Sequence, residues 1–394
     1  ECDEGDQLVS YLPLCHVAEQ MFSIHIPVVS GAQVNFAESL RTIQEDLREI
    51  APQIFFGVPR IWEKFHASIR TKLREAGGLR LWMYERAIAA LETTAAKPRS
   101  DWSLAERARW AFWYVLVLRA LLNFVGLRRC RVAISSGAPI APDILKFFRV
   151  LGVPIREAYG LTEASGATTM QPGDASPVGS VGIPYPGIEV TLADDGEILI
   201  KGDVVFRGYY KNDEATREAV DAEGRLHTGD VATWVAGPAG RELKVIDRKK
   251  DIMITAGGKN ITPSEIENAL RFSPFIKEAI VIADRRRFVS ALIQIEFDSV
   301  SKWAEEHGLT YTHFRSLVEL PQVRDLVQKE VDCANGGMPQ VQQVRKFHLL
   351  TKELDHDDGE VTATMKVRRK SIAEKYAQVI DDLYAPAREA TLAS

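Results

Sequence analysis

Three short apolar runs, each ending in small or turn-forming residues, constrain this chain more than any other feature. Ala51-Pro52-Gln53-Ile54-Phe55-Phe56-Gly57-Val58-Pro59 reads as a strand with a turn after it. Arg131-Val132-Ala133-Ile134 reads as a buried strand running into Ser135-Ser136-Gly137-Ala138-Pro139, and Val153-Pro154-Ile155-Arg156-Glu157-Ala158-Tyr159-Gly160 as the next strand and loop. Residues 60–125, between the first and second runs, carry amphipathic helical spacing. Pro142 opens a helix between the second and third, at the first turn, where its missing N–H costs nothing. This strand–helix–strand rhythm predicts an α/β sheet whose ligands gather at the carboxyl ends of the strands. Upstream, Val9-Ser10-Tyr11-Leu12-Pro13-Leu14 reads as a further strand end.

After residue 175 the texture changes. Glycines and short strands dominate, at Ile188–Leu192, Glu197–Lys201 and Glu242–Ile246, and predict an antiparallel β region over 175–247. Asp247-Arg248-Lys249-Lys250-Asp251 is a charged turn. Beyond it the pattern is a smaller α+β segment, with a helix over Pro263–Arg271 and strands over Ala279–Ile282 and Ala291–Ile295. Thr262 and Glu265 stand at capping-box spacing at the start of that helix. With 394 residues the chain is too long for one ordinary domain. The expected organisation is residues 1–247 as one domain and 248–394 as a second.

A hydrophobic fraction of 46% allows a sizeable core, and a net charge of −5 gives no reason to expect nucleic-acid binding. The four cysteines, Cys2, Cys15, Cys130 and Cys333, have no metal-ligand spacing and are too few for a disulfide scaffold, which points to a reducing, cytoplasmic setting. The acidic opening Glu1-Cys2-Asp3-Glu4-Gly5-Asp6 is unlike a secretory signal. No uncharged apolar run reaches the ~20 residues needed to span a bilayer. The nearest, Trp110 to Val125, is interrupted by Arg119. It reads either as a buried, groove-packed helix or as an interfacial one. In the second case Trp110, Phe112, Trp113 and Tyr114 would face lipid, and residues 108–126 would give peripheral membrane contact. No Gly-x-Gly-x-x-Gly opens a helix after a strand, which argues against a dehydrogenase.

Five clusters carry residue types suited to nucleotide chemistry, though taken alone they read more readily as ordinary turns or solvated charge runs. Tyr159-Gly160-Leu161-Thr162-Glu163 combines a ring that can stack on a purine, a glycine allowing close backbone approach, a hydroxyl for phosphate and a hard oxygen ligand for Mg²⁺. Ser135-Ser136-Gly137-Ala138-Pro139 is a small-residue loop suited to backbone contact with a flat ring. In His227-Thr228-Gly229-Asp230 a carboxylate beside a glycine turn can accept ribose hydroxyls. Asp247–Asp251, followed by Gly257-Gly258-Lys259-Asn260, reads either as a charge run and hairpin turn or as a phosphate-facing arginine with an interdomain hinge. In Thr364-Met365-Lys366-Val367-Arg368-Arg369-Lys370, a single lysine delivered by a mobile domain could stabilise negative charge developing on phosphorus.

The order and intervals of these clusters resemble the adenylate-forming superfamily of acyl-CoA synthetases, luciferases and peptide-synthetase adenylation domains, over nearly the whole chain. Gly202-Asp203-Val204-Val205-Phe206-Arg207-Gly208-Tyr209-Tyr210 resembles a further superfamily signature. Tyr11-Leu12-Pro13-Leu14-Cys15-His16-Val17-Ala18-Glu19-Gln20 and Gly57-Val58-Pro59-Arg60-Ile61-Trp62-Glu63-Lys64 look like the long-chain branch. The resemblance implies a large N-terminal α/β domain with a β-barrel-like region, followed by a smaller mobile α+β C-terminal domain. It implies a fatty acid–CoA ligase using ATP, Mg²⁺ and CoA. Ser136, Gly137 and Ala138 would line the adenine site and Tyr159 would stack on the base, next to Gly160. Thr162 would bind the α-phosphate, Glu163 the Mg²⁺, and Asp230 the ribose hydroxyls, with Arg248 beside it. Lys250 matches the hinge and Lys366 the adenylation lysine. His16 would sit near the acyl and pantetheine channel, and Gly257 and Gly258 would approach the pantetheine arm.

Two departures accompany the resemblance. The family's Ser/Thr/Gly-rich phosphate loop should precede Leu12-Pro13-Leu14 and is absent, so the expectation is a chain lacking part of the large domain. Met365 stands where many relatives have Gly. A fatty-acyl-AMP ligase loading a carrier protein, and an inactive nucleotide-binding fragment, are the alternative readings.

Overall fold

The computed structural model describes residues 2–39, 42–95, 97–362 and 366–385. The chain divides into two compact units, Glu1–Lys249 and Lys250–Ser394. The first contains the expected α/β sheet. Ile54–Gly57, Val132–Ser135 and Ile155–Leu161 lie side by side and parallel, and Gly166–Met170 and Ile183–Pro184 extend the sheet with antiparallel pairing. Parallel neighbours need long crossovers. The helices Pro59–Ala76 and Gly78–Ala95 lie within the first crossover, and Pro142–Leu151 forms the second, with Pro142 in its first turn.

Aromatic packing fixes these helices to the sheet. Trp62 is fully buried, packs edge-on against Phe55 at 5.4 Å and Phe148 at 5.2 Å, and donates its indole N–H to the Gly57 carbonyl at 2.9 Å. Tyr11 lies just past the strand Gln7–Ser10, which is shorter than the sequence run suggested. Its hydroxyl accepts the Val58 N–H at 3.2 Å and so ties together the two segments that resemble the long-chain branch. The antiparallel region forms a four-stranded sheet in the order Gly240–Arg248, Leu226–Gly237, Glu197–Lys201, Glu189–Leu192.

The second unit is a three-stranded sheet, Ile276–Ile282, Val289–Ile295 and Val344–Leu349, with its own core. The period of two along its strands places Ala279, Val281, Ala291 and Ile293 in one apolar cluster and Ile280 and Leu292 in another, so both faces are covered. The helix Pro263–Arg271 begins where expected, but Thr262 makes no side-chain capping bond, so the capping box with Glu265 does not form. A capping box does form at Ser103 and Glu106.

The run from Trp110 to Val125 lies on consecutive helical segments, Leu104–Trp113, Tyr114–Leu118 and Arg119–Phe124, the middle one a π-turn segment. Val117, Leu118, Leu122 and Val125 are buried. Trp110 donates to the Val150 carbonyl at 3.3 Å, stacks on Tyr114 at 4.9 Å and lies under the Arg99 guanidinium. The large apolar side chains left exposed are Leu104, Phe112, Val115 and Leu116. Of the four aromatic residues, Trp110 therefore turns inward, Trp113 and Tyr114 are half-buried and Phe112 is exposed, so the helix has features of both readings. Trp110→Ser is expected to cost roughly 2 kcal/mol, below the range for a fully buried aromatic because Trp110 is half-buried. Phe112→Ser should stay within about 0.5 kcal/mol. Urea unfolding of both variants checks this. Among the described residues no helix is long and apolar enough to cross a membrane.

Candidate functional site

The strand Ile155–Leu161 organises the site because its two faces serve different groups. One face, with Ala158 and Gly160, borders a cavity of about 220 Å³ that is also lined by His16, Ser136 and Gly137. Residues from three separate sequence clusters thus meet in one place. The remaining wall is apolar and includes Met21, Phe22, Ile26, Phe56 and Ile134. Ala138 is exposed and is not part of this lining.

Backbone geometry shapes the cavity. Gly137 has φ +89°, in the left-handed region, which lets the loop turn immediately after the strand Val132–Ser135. A Cβ on Gly160 would lie 1.7 Å from the Gly166 carbonyl oxygen. His16 is the N-cap of the helix Val17–Gln20, where its Nδ1 accepts the Ala18 N–H at 3.2 Å. Burial holds this imidazole below its usual range, against the opposing charge of Glu19. Glu19 is itself buried and accepts the Leu12 N–H at 2.9 Å, which fastens the Leu12–Leu14 turn to the helix.

Tyr159 points to the other face. It is 9% exposed, sits in a core cluster with Ile198 and Leu226, and donates its hydroxyl to Asp230 at 2.7 Å. Burial, reinforced by the Asp230 charge, raises its pKa, so the hydroxyl stays protonated. Asp230 pairs with Arg248 across the hairpin, and Arg248 Nε lies 3.3 Å from Asp230 Oδ1. Both Asp230 oxygens therefore have partners within this unit. Thr162 and Glu163 follow on a short 3₁₀ turn, with Thr162 exposed and Glu163 accepting the Tyr209 hydroxyl at 2.9 Å.

Lys250, Gly257, Gly258 and Lys366 lie in the second unit. Lys250 is its first residue. Gly257 and Gly258 form the turn between Met253–Ile254 and Asn260–Ile261. Gly258 has φ +72°. Among the described residues a Cβ on Gly257 would meet only Thr255 Oγ1, at 4.0 Å, so none of them requires a glycine there. Lys366 is exposed, while Thr364 and Met365 lie outside the described residues.

Two buried carboxylates that the sequence reading passed over hold this machinery. Glu197 accepts the Gly229 N–H at 2.9 Å and pairs with Lys249 at 3.2 Å, which fixes the turn presenting Asp230. A charged residue opening an otherwise apolar strand was the available signal. Glu157 shares a face with Tyr159 by strand alternation and accepts the Gly179 N–H at 2.9 Å and the Gln171 amide at 3.2 Å. Burial pushes its pKa up to about 7 from an ordinary 4.5, against the Gly179 N–H and Arg149. A folded-state pKa above the unfolded one contributes stability that is complete below the unfolded value and lost as pH rises through the folded one. Glu157→Gln removes this titration. The stability of the variant relative to the parent chain should therefore rise by on the order of 3 kcal/mol between pH 4.5 and 8.5 in urea unfolding.

A family model described as an AMP-binding enzyme matches residues 1–210, and one described as an AMP-binding enzyme C-terminal domain matches residues 250–388. A Mycobacterium tuberculosis protein named as the fatty-acid–CoA ligase fadD11 is 35% identical over 97% of this chain and 67% of its own length. The long-chain-fatty-acid–CoA ligase FadD15 of Mycobacterium bovis is 35% identical over 97% of this chain and 62% of its own length. Among solved structures, the adenylation domain of a carboxylate reductase from Mycobacterium chelonae shares the fold with a TM-score of 0.74 at 22% identity, covering 97% of this chain and 54% of that one. The chain thus spans between about half and two thirds of the proteins it matches. Across both of its units, it belongs to the family of AMP-binding enzymes.

Proposed function

We propose that the protein is a long-chain fatty acid–CoA ligase that activates the acid with ATP and transfers the acyl group to CoA. The observation that carries this reading is the meeting of His16, Ser136, Gly137 and Gly160 at one largely apolar cavity, backed across the same strand by the Tyr159–Asp230–Arg248 cluster. Membership of the family and 35% identity to named fatty-acid–CoA ligases support the choice of substrates.

In the first step a carboxylate oxygen of the fatty acid bonds to the α-phosphorus of ATP, and the bond to the bridging oxygen of pyrophosphate breaks. Such transfers depend on positioning and charge stabilisation. Asp230 would hold the ribose hydroxyls, with Tyr159 and Arg248 fixing its two oxygens. Thr162 would donate to the α-phosphate, and Lys366 would bridge the acid and the phosphate. Bound Mg²⁺ would neutralise charge on the departing pyrophosphate, and one carboxylate plus substrate phosphates is an ordinary ligand set for it. Glu163, with its Oε1 aligned by Tyr209, fits that need. In the second step the CoA sulfur bonds to the acyl carbon, AMP leaves and the thiol proton is released. Lys250 would serve as the hinge that exchanges Lys366 for the Gly257–Gly258 turn. Neutral His16 lies on the acyl side. The exposed stripe Phe112, Val115 and Leu116, flanked by Arg109 and Arg119, supports peripheral contact with a lipid surface.

The test is palmitate-dependent ATP–pyrophosphate exchange and palmitoyl-CoA formation, in this chain and in a version extended to the length of its relatives. Exchange with thioester formation on free CoA is the expected result in the extended protein. Exchange without CoA acylation, with loading of a carrier-protein phosphopantetheine, would replace this reading with the carrier-loading one. No exchange with any fatty acid would overturn it.

A further inference from the structure

The described backbone on either side of residues 363–365 is paired next to Lys366. Val361 and Val367 form an antiparallel bridge. The Thr362 N–H donates to the Lys366 carbonyl at 2.8 Å, the Lys366 N–H donates to the Thr362 hydroxyl at 3.0 Å, and the Arg368 N–H donates to the Glu360 carbonyl at 2.9 Å. An isolated ribbon of this size is not stable in water, so something else must hold its shape.

Two buried carboxylates stand at its two ends. Glu360, where the loop begins, has no exposed surface. Its carboxylate pairs with Lys352 at 3.0 Å and Lys375 at 2.8 Å, and accepts the Tyr376 hydroxyl and the Asp355 N–H, each at 3.0 Å. Asp358 pairs with the same two lysines, giving an alternating network of two cations and two anions. At the other end, Arg369 opens the helix Arg369–Lys375 and donates to both oxygens of Glu267, at 2.7 and 2.6 Å. Glu267 is 7% exposed and also accepts the Val281 N–H at 2.8 Å, which ties the loop to the central sheet. Arg369 Nε lies 3.9 Å from Asp251, one residue beyond Lys250.

We infer that Glu360 is a positioning residue for Lys366, with Glu267 holding the far end of the same loop. A lysine ammonium rides on a flexible four-carbon stem, so its placement depends on a fixed backbone origin. The two anchored ends supply that origin before any substrate binds. A misplacement of about 1 Å remote from the chemistry can cost ~10²-fold in rate. The inference rests on the role given to Lys366 under Proposed function.

The test compares Glu360→Gln, Tyr376→Phe and Lys366→Ala in the extended enzyme. It reads ATP–pyrophosphate exchange, thioester formation from supplied acyl adenylate, and amide hydrogen exchange over 361–368. Glu360→Gln is expected to lower kcat of pyrophosphate exchange by ~10²-fold with KM for ATP within about twofold, and to leave the thioester half-reaction within about twofold. The amides of Thr362 and Arg368 should lose protection while those of Val289–Ile295 keep it. Tyr376→Phe, which strands no charge, should produce the same split at roughly tenfold and remains informative if Glu360→Gln fails to fold. Unchanged exchange in a folded variant whose loop amides have opened would overturn the inference, and so would equal loss of both half-reactions. Unimpaired exchange in Lys366→Ala would instead defeat the underlying functional reading.

Discussion

Lys366→Ala is expected to lower fatty-acid-dependent ATP–pyrophosphate exchange by about 10²–10³-fold, corresponding to ~2.7–4 kcal/mol of lost charge stabilisation. Thioester formation from supplied acyl adenylate should remain near the parental rate. The split follows from the chemistry. In the first step charge crowds the five-coordinate α-phosphorus as the carboxylate attacks, and there an ammonium bridging the acid and phosphate acts on the transition state. In the second the bonds change at the acyl carbon, and the departing AMP carries the released charge. The second step needs the CoA sulfur at the acyl carbon and no cation there. Lys366 is exposed on its own unit, at a loop whose two ends are pinned by buried ion pairs, so removing its side chain should leave folding intact. Equal loss in both half-reactions would remove Lys366 from this role.

Gly160→Ala is expected to destabilise the first unit by about 3 kcal/mol or more and to abolish exchange, as judged by urea unfolding and pyrophosphate exchange. The added methyl would lie 1.7 Å from the Gly166 carbonyl oxygen and 2.9 Å from Ala167 Cα. Both obstacles are backbone atoms of the neighbouring strand Gly166–Met170, so no side-chain rotation relieves the clash. Separating the strands would displace Tyr159 on one side and the cavity wall on the other, because both depend on this pairing. Gly257→Ala is the matched control. Its methyl has open space, so melting should change little while thioester formation slows if pantetheine passes there. Parental stability in Gly160→Ala would show that the close strand approach does not exist in solution.

Much of the fold was legible because the signals were local. The apolar runs at Ile54–Gly57, Val132–Ser135 and Ile155–Leu161 became parallel neighbours, and Pro142 marked the start of its helix. Glycine and proline punctuation separated the antiparallel region from the α/β sheet. The capping-box spacing at Thr262 and Glu265 was misleading, because spacing allows the bond without compelling it. For the aromatic run at residues 110–114 the sequence left a buried and an interfacial reading open, and the structure divides the residues between them, with Trp110 turned inward and Phe112 exposed. Its amphipathic direction depends on where the Arg99 and Val150 partners stand, and these are distant in sequence.

The sequence by itself determined the residue types available for nucleotide chemistry and their order along the chain, since strand, turn and helix preferences act over a few residues. Only the tertiary structure decided which of them meet. It brought His16, Ser136, Gly137 and Gly160 to one cavity, and it turned Tyr159 away from that cavity toward Asp230. It also gave Glu157, Glu197, Glu267 and Glu360 their importance, because a carboxylate matters structurally only once burial removes water and leaves a few named donors to satisfy it.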